Sequence, residues 1–120
     1  MILLTIISLT FLFGIAIASA MTLAESKIRE EADIQDIDPE LAVRIANCES
    51  GLDQGVRNLS GSSASGIFQF LKSTWYDTLK RMGLPSTLDV FDGYTNIKAG
   101  IWLLKMDGPR HWYESRHCWG

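Results

Sequence analysis

The residues best suited to chemistry lie in one stretch. Glu49-Ser50-Gly51-Leu52 is followed by Ser60-Gly61-Ser62-Ser63-Ala64-Ser65-Gly66-Ile67-Phe68-Gln69-Phe70. Glu49 can donate a proton and later recover it, and the small-residue turn behind it can deliver an amide and aromatic rings. Gln69 offers both a donor and an acceptor, suited to hydroxyls or an N-acetyl group. Phe68 and Phe70 offer flat apolar faces, or core packing; an extended segment would send one ring each way. Gly66 permits a positive φ or a close backbone approach, while Ala64 and Ser65 keep the turn narrow. A carboxylic acid that keeps its proton near neutral pH is what cleavage of a glycosidic bond requires, because the departing alcohol must be protonated.

The elements that must position these groups read as helices, and no segment sustains the two-residue alternation of a strand. Asp38-Pro39 predicts a cap and first turn, and the helix runs to about Ser50, where Gly51 can take the left-handed conformation. Leu41, Ile45 and Glu49 are spaced by four and share a face, which places the acid in line with apolar residues. Desolvation on that face and the negative end of the helix dipole both predict a raised pKa for Glu49. A second helix is expected from a cap at Ser73 or Thr74, with Trp75, Leu79 and Met82 inward and Gly83 as its stop. A third spans about Asp92 to Met106 with Ile97, Ile101 and Leu104 inward. Gly100 weakens its middle unless something packs closely there. Asp107-Gly108-Pro109 reads as a turn, and His111 to Trp119 as a short last helix. The expected fold is all-α and compact, with one irregular loop carrying the unusual residues.

Met1 to Ala24 holds no charge, and Ile2 to Ile17 is almost continuously apolar, which predicts export. Ala18-Ser19-Ala20 offers a cleavage point after Ala20. The basic residues that usually open a signal peptide are absent, so residues 1–20 read as a signal peptide or an uncleaved anchor. Residues 25–40 carry seven acids against Lys27 and Arg29, a local charge of −5, and residues 21–38 read as a solvated acidic linker. Residues 41–120 carry nine Lys/Arg against seven acids, so the remainder is mildly basic although the chain as a whole is at −3. With no basic run and no densely basic helix face, nucleic acid is not an expected partner. A domain of about 80 residues is marginal on its hydrophobic core alone. In an exported chain Cys48 and Cys118 most simply pair, bracing the C-terminus beside Glu49. A Cys48/His117 thiol dyad is the weaker alternative. His111 and His117 are too few for a closed zinc site, no His-Glu-x-x-His pattern occurs, and no metal or cofactor is expected.

Glu49-Ser50-Gly51-Leu52, Ser60 with Ala64-Ser65-Gly66-Ile67-Phe68-Gln69, and Asn96-Ile97-Lys98-Ala99-Gly100-Ile101-Trp102-Leu103 resemble the successive motifs of the soluble lytic transglycosylase (SLT) domain. That family is lysozyme-like and cleaves peptidoglycan, and the resemblance runs over about residues 39–119 of the expected domain, 39–120. It implies that Glu49 is the sole catalytic acid/base and that Ser60 and Gln69 contact sugar. Phe68 stands at the family's methionine position in a sugar subsite. Three departures stand out. The Glu49–Ser60 spacing is two residues longer than the commonest form, and Ser63 replaces a usual glycine. The family's late Ala-Tyr-Asn-Ala-Gly segment is replaced by His111 to Trp119, where Tyr113 is the candidate for the tyrosine that hydrogen-bonds near the acid.

What the resemblance implies is a monomeric extracytoplasmic enzyme, secreted, periplasmic or in the cell envelope. Its partners are peptidoglycan glycan strands, with membrane contact only through residues 1–20 if uncleaved. Asp53, Asp89, Asp92 and Glu114 are available as a second carboxylate, but none sits in a partner motif. A lytic route needs no second acid: Glu49 protonates the bridge oxygen, then deprotonates the muramic 6-hydroxyl for ring closure, giving a 1,6-anhydro end. Lysozyme-type hydrolysis and a non-catalytic glycan-binding module are the competing readings.

Overall fold

A computed structural model describes residues 21–58 and 61–120; the export segment and Ser60 lie outside the described residues. The described residues form five α-helices and a 3₁₀ stretch, in order α1 Leu23–Gln35, α2 Pro39–Ser50, α3 Lys72–Arg81, α4 Gly93–Asp107, the 3₁₀ segment Gly108–Ser115, and α5 Arg116–Trp119. Among the described residues there is no strand, only isolated bridges pairing Ser65 with Arg57 and with Phe70. The all-α expectation holds.

The acidic segment expected to be a solvated linker is instead a packed helix. Ala24, Ile28 and Ala32, spaced by four, make a narrow apolar stripe on α1, with Ile28 and Ala32 fully buried. The helix is capped by Thr22, whose hydroxyl accepts from Glu25 N at 3.1 Å. Its charges are then disposed around the stripe. Arg29 donates to Glu25 (3.0 Å) and to Glu40 on α2. Gln35 Nε2 donates to the nearly buried Glu31 (2.8 Å) and to the Lys98 carbonyl of α4 (3.2 Å). So α1 is part of the core that supports the site, lying against both α2 and α4.

The centre of the core is α4. Asp92 caps it by accepting from Thr95 N, and Asn96, Ile97, Ala99, Gly100, Ile101, Leu103 and Leu104 are all buried along it. A helix buried over so much of its surface is enclosed by the other elements rather than laid on them. Gly100 has the close neighbour that its position demands: a Cβ there would lie 2.5 Å from Phe68 Cδ2. Helix α3 begins at Lys72, earlier than expected, and takes its cap from outside itself: Lys72 N donates to Ser63 Oγ of the loop at 2.9 Å. Its far end is fastened to α4, where Asp107 accepts both Arg81 guanidinium bonds (2.9 and 2.7 Å) and has His111 Nε2 at 2.8 Å. The Arg81 hydrogen bonds, then His111, hold the Asp107 carboxyl well below the usual range.

The chain after α4 is a 3₁₀ segment kinked at Trp112 (φ −114°, ψ 15°), not one continuous short helix, and only Arg116–Trp119 is α-helical. Cys48 and Cys118 are joined. Arg44 Nε also donates to the Trp119 carbonyl at 3.1 Å, so α5 is tied to α2 twice.

Candidate active site

Glu49 lies in the last turn of α2, in phase with the fully buried Ile45, as its spacing predicts. Gly51 follows in the left-handed region (φ 64°) and closes the helix by donating to Asn47 O at 2.9 Å. The Glu49 side chain is half-buried, and desolvation pushes its pKa up. A hydrogen bond donated by Ser115 Oγ to Glu49 Oε1 opposes that shift, and the charge of Glu114 adds to it. The raised pKa thus has the burial cause expected, with a modulating hydroxyl that the sequence did not single out.

Residues 64–70 form a compact turn held from three sides. From α2, Ser50 Oγ donates to Ile67 O (2.7 Å). From α4, Asn96 is fully buried; its Oδ1 accepts from Phe68 N (2.9 Å) and its Nδ2 donates to Val90 O (2.7 Å). From the C-terminal segment, Trp112 Nε1 donates to Phe68 O (2.9 Å). Gly66 has φ 81°, and a Cβ there would meet Asn96 Nδ2 at 2.3 Å and Val90 O at 2.7 Å, so both reasons for a glycine apply.

Phe68 is fully buried against Gly100 and Trp112 (ring centroids 5.8 Å apart), so its ring belongs to the core and cannot meet a sugar. Phe70 is buried as well, edge-on to Trp75 at 5.0 Å. Both rings point inward because the residue between them, Gln69, has φ 52°, which breaks the alternation an extended segment would have had. Gln69 is half-exposed, but its Nε2 donates to Val56 O and Gly66 O, both at 2.9 Å, and so closes the loop on itself. Ser60 lies outside the described residues. Tyr113 is exposed, its ring stacked on Trp119 (6.4 Å, 24°) beneath Arg116. The hydroxyl on Glu49 is that of Ser115, two residues further on.

Of the other acids, Asp53 Oδ1 accepts from Gly55 N, Asp89 Oδ1 from Phe91 N, and Asp92 Oδ2 from Thr95 N and Oγ1. These three shape turns and a helix start. Glu114 is the acid whose charge reaches Glu49. A separate groove of about 710 Å³ lies between the loop and α3, lined by Arg57, Phe70, Lys72, Trp75, Tyr76 and Phe91 among others, and Glu49 does not line it. Among the described residues no group of three or more His, Cys, Asp or Glu could hold a metal ion, and no helix is long and apolar enough to cross a membrane.

The fold and site define a helical domain built around one half-buried carboxylic acid, braced by a disulfide at the residue before it. The family model of the transglycosylase SLT domain matches residues 26–110, and the chain belongs to that family. The family is one of glycosidic-bond-cleaving enzymes that act on peptidoglycan, outside the cytoplasm. The match takes in most of α1, in keeping with its packing, and ends before Trp112, Ser115, Cys118 and Trp119. No curated protein and no solved structure matches the chain.

Proposed function

We propose that this protein is a lytic transglycosylase that cleaves the β-1,4 bond between N-acetylmuramic acid and N-acetylglucosamine, with Glu49 as its single acid/base. The observation that carries this reading is the state of Glu49: half-buried, biased towards its neutral form, and held by a hydroxyl. Protonated Glu49 delivers its proton to the glycosidic oxygen as the bond breaks. The substrate N-acetyl group steadies the oxocarbenium-like centre, and Glu49, now a carboxylate, takes the proton of the muramic 6-hydroxyl as that oxygen closes on C1. The nucleophile is carried by the substrate, so proximity does the work of a second protein carboxylate. The local use of Asp53, Asp89 and Asp92 favours this route over one requiring a partner acid.

Ser60, the Gln69 amide oxygen and the exposed Tyr113 ring are the proposed sugar contacts, and Phe68 is no longer among them. The hydrolytic reading retains one specific support, Glu114, whose charge acts on Glu49 and which could activate water if it approached as catalytic carboxylate pairs do, about 5–9.5 Å apart. Residues 1–20 are proposed to direct the chain out of the cytoplasm, cleaved after Ala20 or kept as an anchor. Mass spectrometry of digested peptidoglycan separates the readings. Anhydro-muramyl ends are expected; reducing ends would establish hydrolysis, and binding without release would establish a glycan-binding module.

A further inference from the structure

Ser115 is placed to do more than donate one hydrogen bond. Its Oγ lies within hydrogen-bond distance of three partners: Glu49 Oε1, the Trp112 carbonyl (3.0 Å), and Trp119 Nε1 (3.1 Å). The Trp119 indole can only donate, so it fixes one lone pair of Oγ. The hydroxyl has a single proton and two oxygen acceptors, Glu49 and Trp112 O, and cannot serve both at once. Which one it serves must depend on whether Glu49 carries its own proton. When Glu49 is ionised, Ser115 donates to the carboxylate. When Glu49 is protonated, its O–H donates to Ser115 Oγ, and the Ser115 proton turns to Trp112 O. Every donor is satisfied in both arrangements, and only the Ser115 O–H rotates.

We infer that Ser115 is a positioning residue for Glu49, a hydroxyl rotor that holds the carboxyl in one orientation through both protonation states. The inference rests on the reading of Glu49 as an acid that becomes a base. As the Glu49 O–H turns from Ser115 Oγ to the departing oxygen and gives up its proton there, the Ser115 O–H swings from Trp112 O onto the nascent carboxylate; once Glu49 has taken a proton from the muramic 6-hydroxyl and its O–H turns back to Ser115 Oγ, the Ser115 O–H returns to Trp112 O. Ser115 gains and loses no proton overall. Hydrogen bonds to a charged acceptor are stronger than those between neutral groups, so the rotor favours proton release at the moment of bond breaking. Trp119 holds the rotor in place: its single N–H is shared between Ser115 Oγ and Trp112 O (3.1 Å to each), and the disulfide at the preceding Cys118 anchors the residue. This arrangement stands where the resemblance would place a tyrosine, in a segment outside the family match.

The ionisable side chains of residues 108–120, the segment carrying Ser115, are Arg110, His111, Tyr113, Glu114, Arg116 and His117, and Arg110 and His111 are turned to Asp107. Of these Glu114 acts on Glu49, while Arg116 lies over the Tyr113 ring. On α2 the nearest cation, Arg44, is directed to Trp119 O, and the 64–70 turn bears no charge.

The test is a ¹³C NMR titration of the Glu49 carboxyl in the oxidised protein, wild type against Ser115→Ala and Ser115→Thr, with the pH profile of peptidoglycan cleavage measured alongside. Ser115→Ala should fold, because Trp119 Nε1 keeps Trp112 O as its acceptor. Its Glu49 midpoint should move upward, the alkaline limb of the rate profile should move with it, and the rate should fall about tenfold. Ser115→Thr, which keeps the hydroxyl, should restore all three. Should Ser115→Ala misfold, Ser115→Gly makes the same deletion. An unchanged or lowered midpoint in the hydroxyl-free variant overturns the inference, as does a rate within about twofold of wild type. The titration needs no activity, so a wild type that fails to cleave would sink the functional reading while the midpoint still judged the rotor.

Discussion

Asn96 should be the side chain on which the 64–70 turn depends, and Asn96→Leu measures how much. Leucine keeps the branched outline of asparagine and is somewhat bulkier, so the variant removes hydrogen bonds without opening a cavity. The Phe68 N–H, donated at 2.9 Å to Asn96 Oδ1 in a fully buried setting, would be left without a partner. Such an orphan costs about 1–3 kcal/mol, and the lost bond to the half-buried Val90 carbonyl adds about 1 kcal/mol, giving about 2–4 kcal/mol. The Ser65 carbonyl, at 3.5 Å from Nδ2, adds little. For a domain of this size that loss lowers Tm by about 10–25 °C. Thermal unfolding followed by circular dichroism reads the stability, and hydrogen exchange at the Phe68 amide reads the local effect. A variant melting within a few degrees of wild type, with Phe68 still protected, would refute the claim that α4 holds the turn through Asn96.

Four further outcomes follow from the same geometry. Removing the disulfide with Cys48→Ala/Cys118→Ala frees a loop closed across 70 residues, a loss of about 4 kcal/mol in the chain-entropy treatment, and reductant should lower the wild-type melting temperature similarly. Gly100→Ala should destabilise by up to about 2 kcal/mol despite alanine's better helix propensity, since its Cβ would meet the enclosed Phe68 ring at 2.5 Å; a higher melting temperature would contradict that packing. A carboxyl whose pKa the fold raises binds its proton more tightly folded than unfolded, so the associated stability is complete below the unfolded pKa and declines as pH climbs through the folded one. Glu49→Gln, permanently neutral, should therefore melt higher than wild type at neutral pH and converge with it in acid, while wild-type cleavage falls as pH rises through the Glu49 pKa.

The helix that carries Glu49 and the disulfide beside it were legible in the sequence, and most other long-range contacts were not. The α2 cap, its left-handed glycine and the phase of Glu49 depend on residues within a few positions of one another, and all hold. The α1 segment misled because a charge count ignores spacing: its stripe is made largely of alanines, while its acids lie around it. Phe68 was misplaced because alternation assumes an extended chain, and φ at Gln69 is 52°. The α3 cap comes from Ser63, nine residues before the nitrogen it serves, rather than from the Ser73 or Thr74 beside it. Ser115 lies 66 residues from Glu49, and no periodicity could join them. The nearest signal was the disulfide, since pairing Cys48 with Cys118 already required the C-terminal segment to lie beside the acid.

The most direct measurement of the central claim is mass spectrometry of peptidoglycan incubated with wild-type protein and with Glu49→Gln, both shown to be folded by circular dichroism. Wild type should release 1,6-anhydro-muramyl fragments and Glu49→Gln none. Release of the same fragments by Glu49→Gln would contradict the assignment of Glu49 as the acid/base.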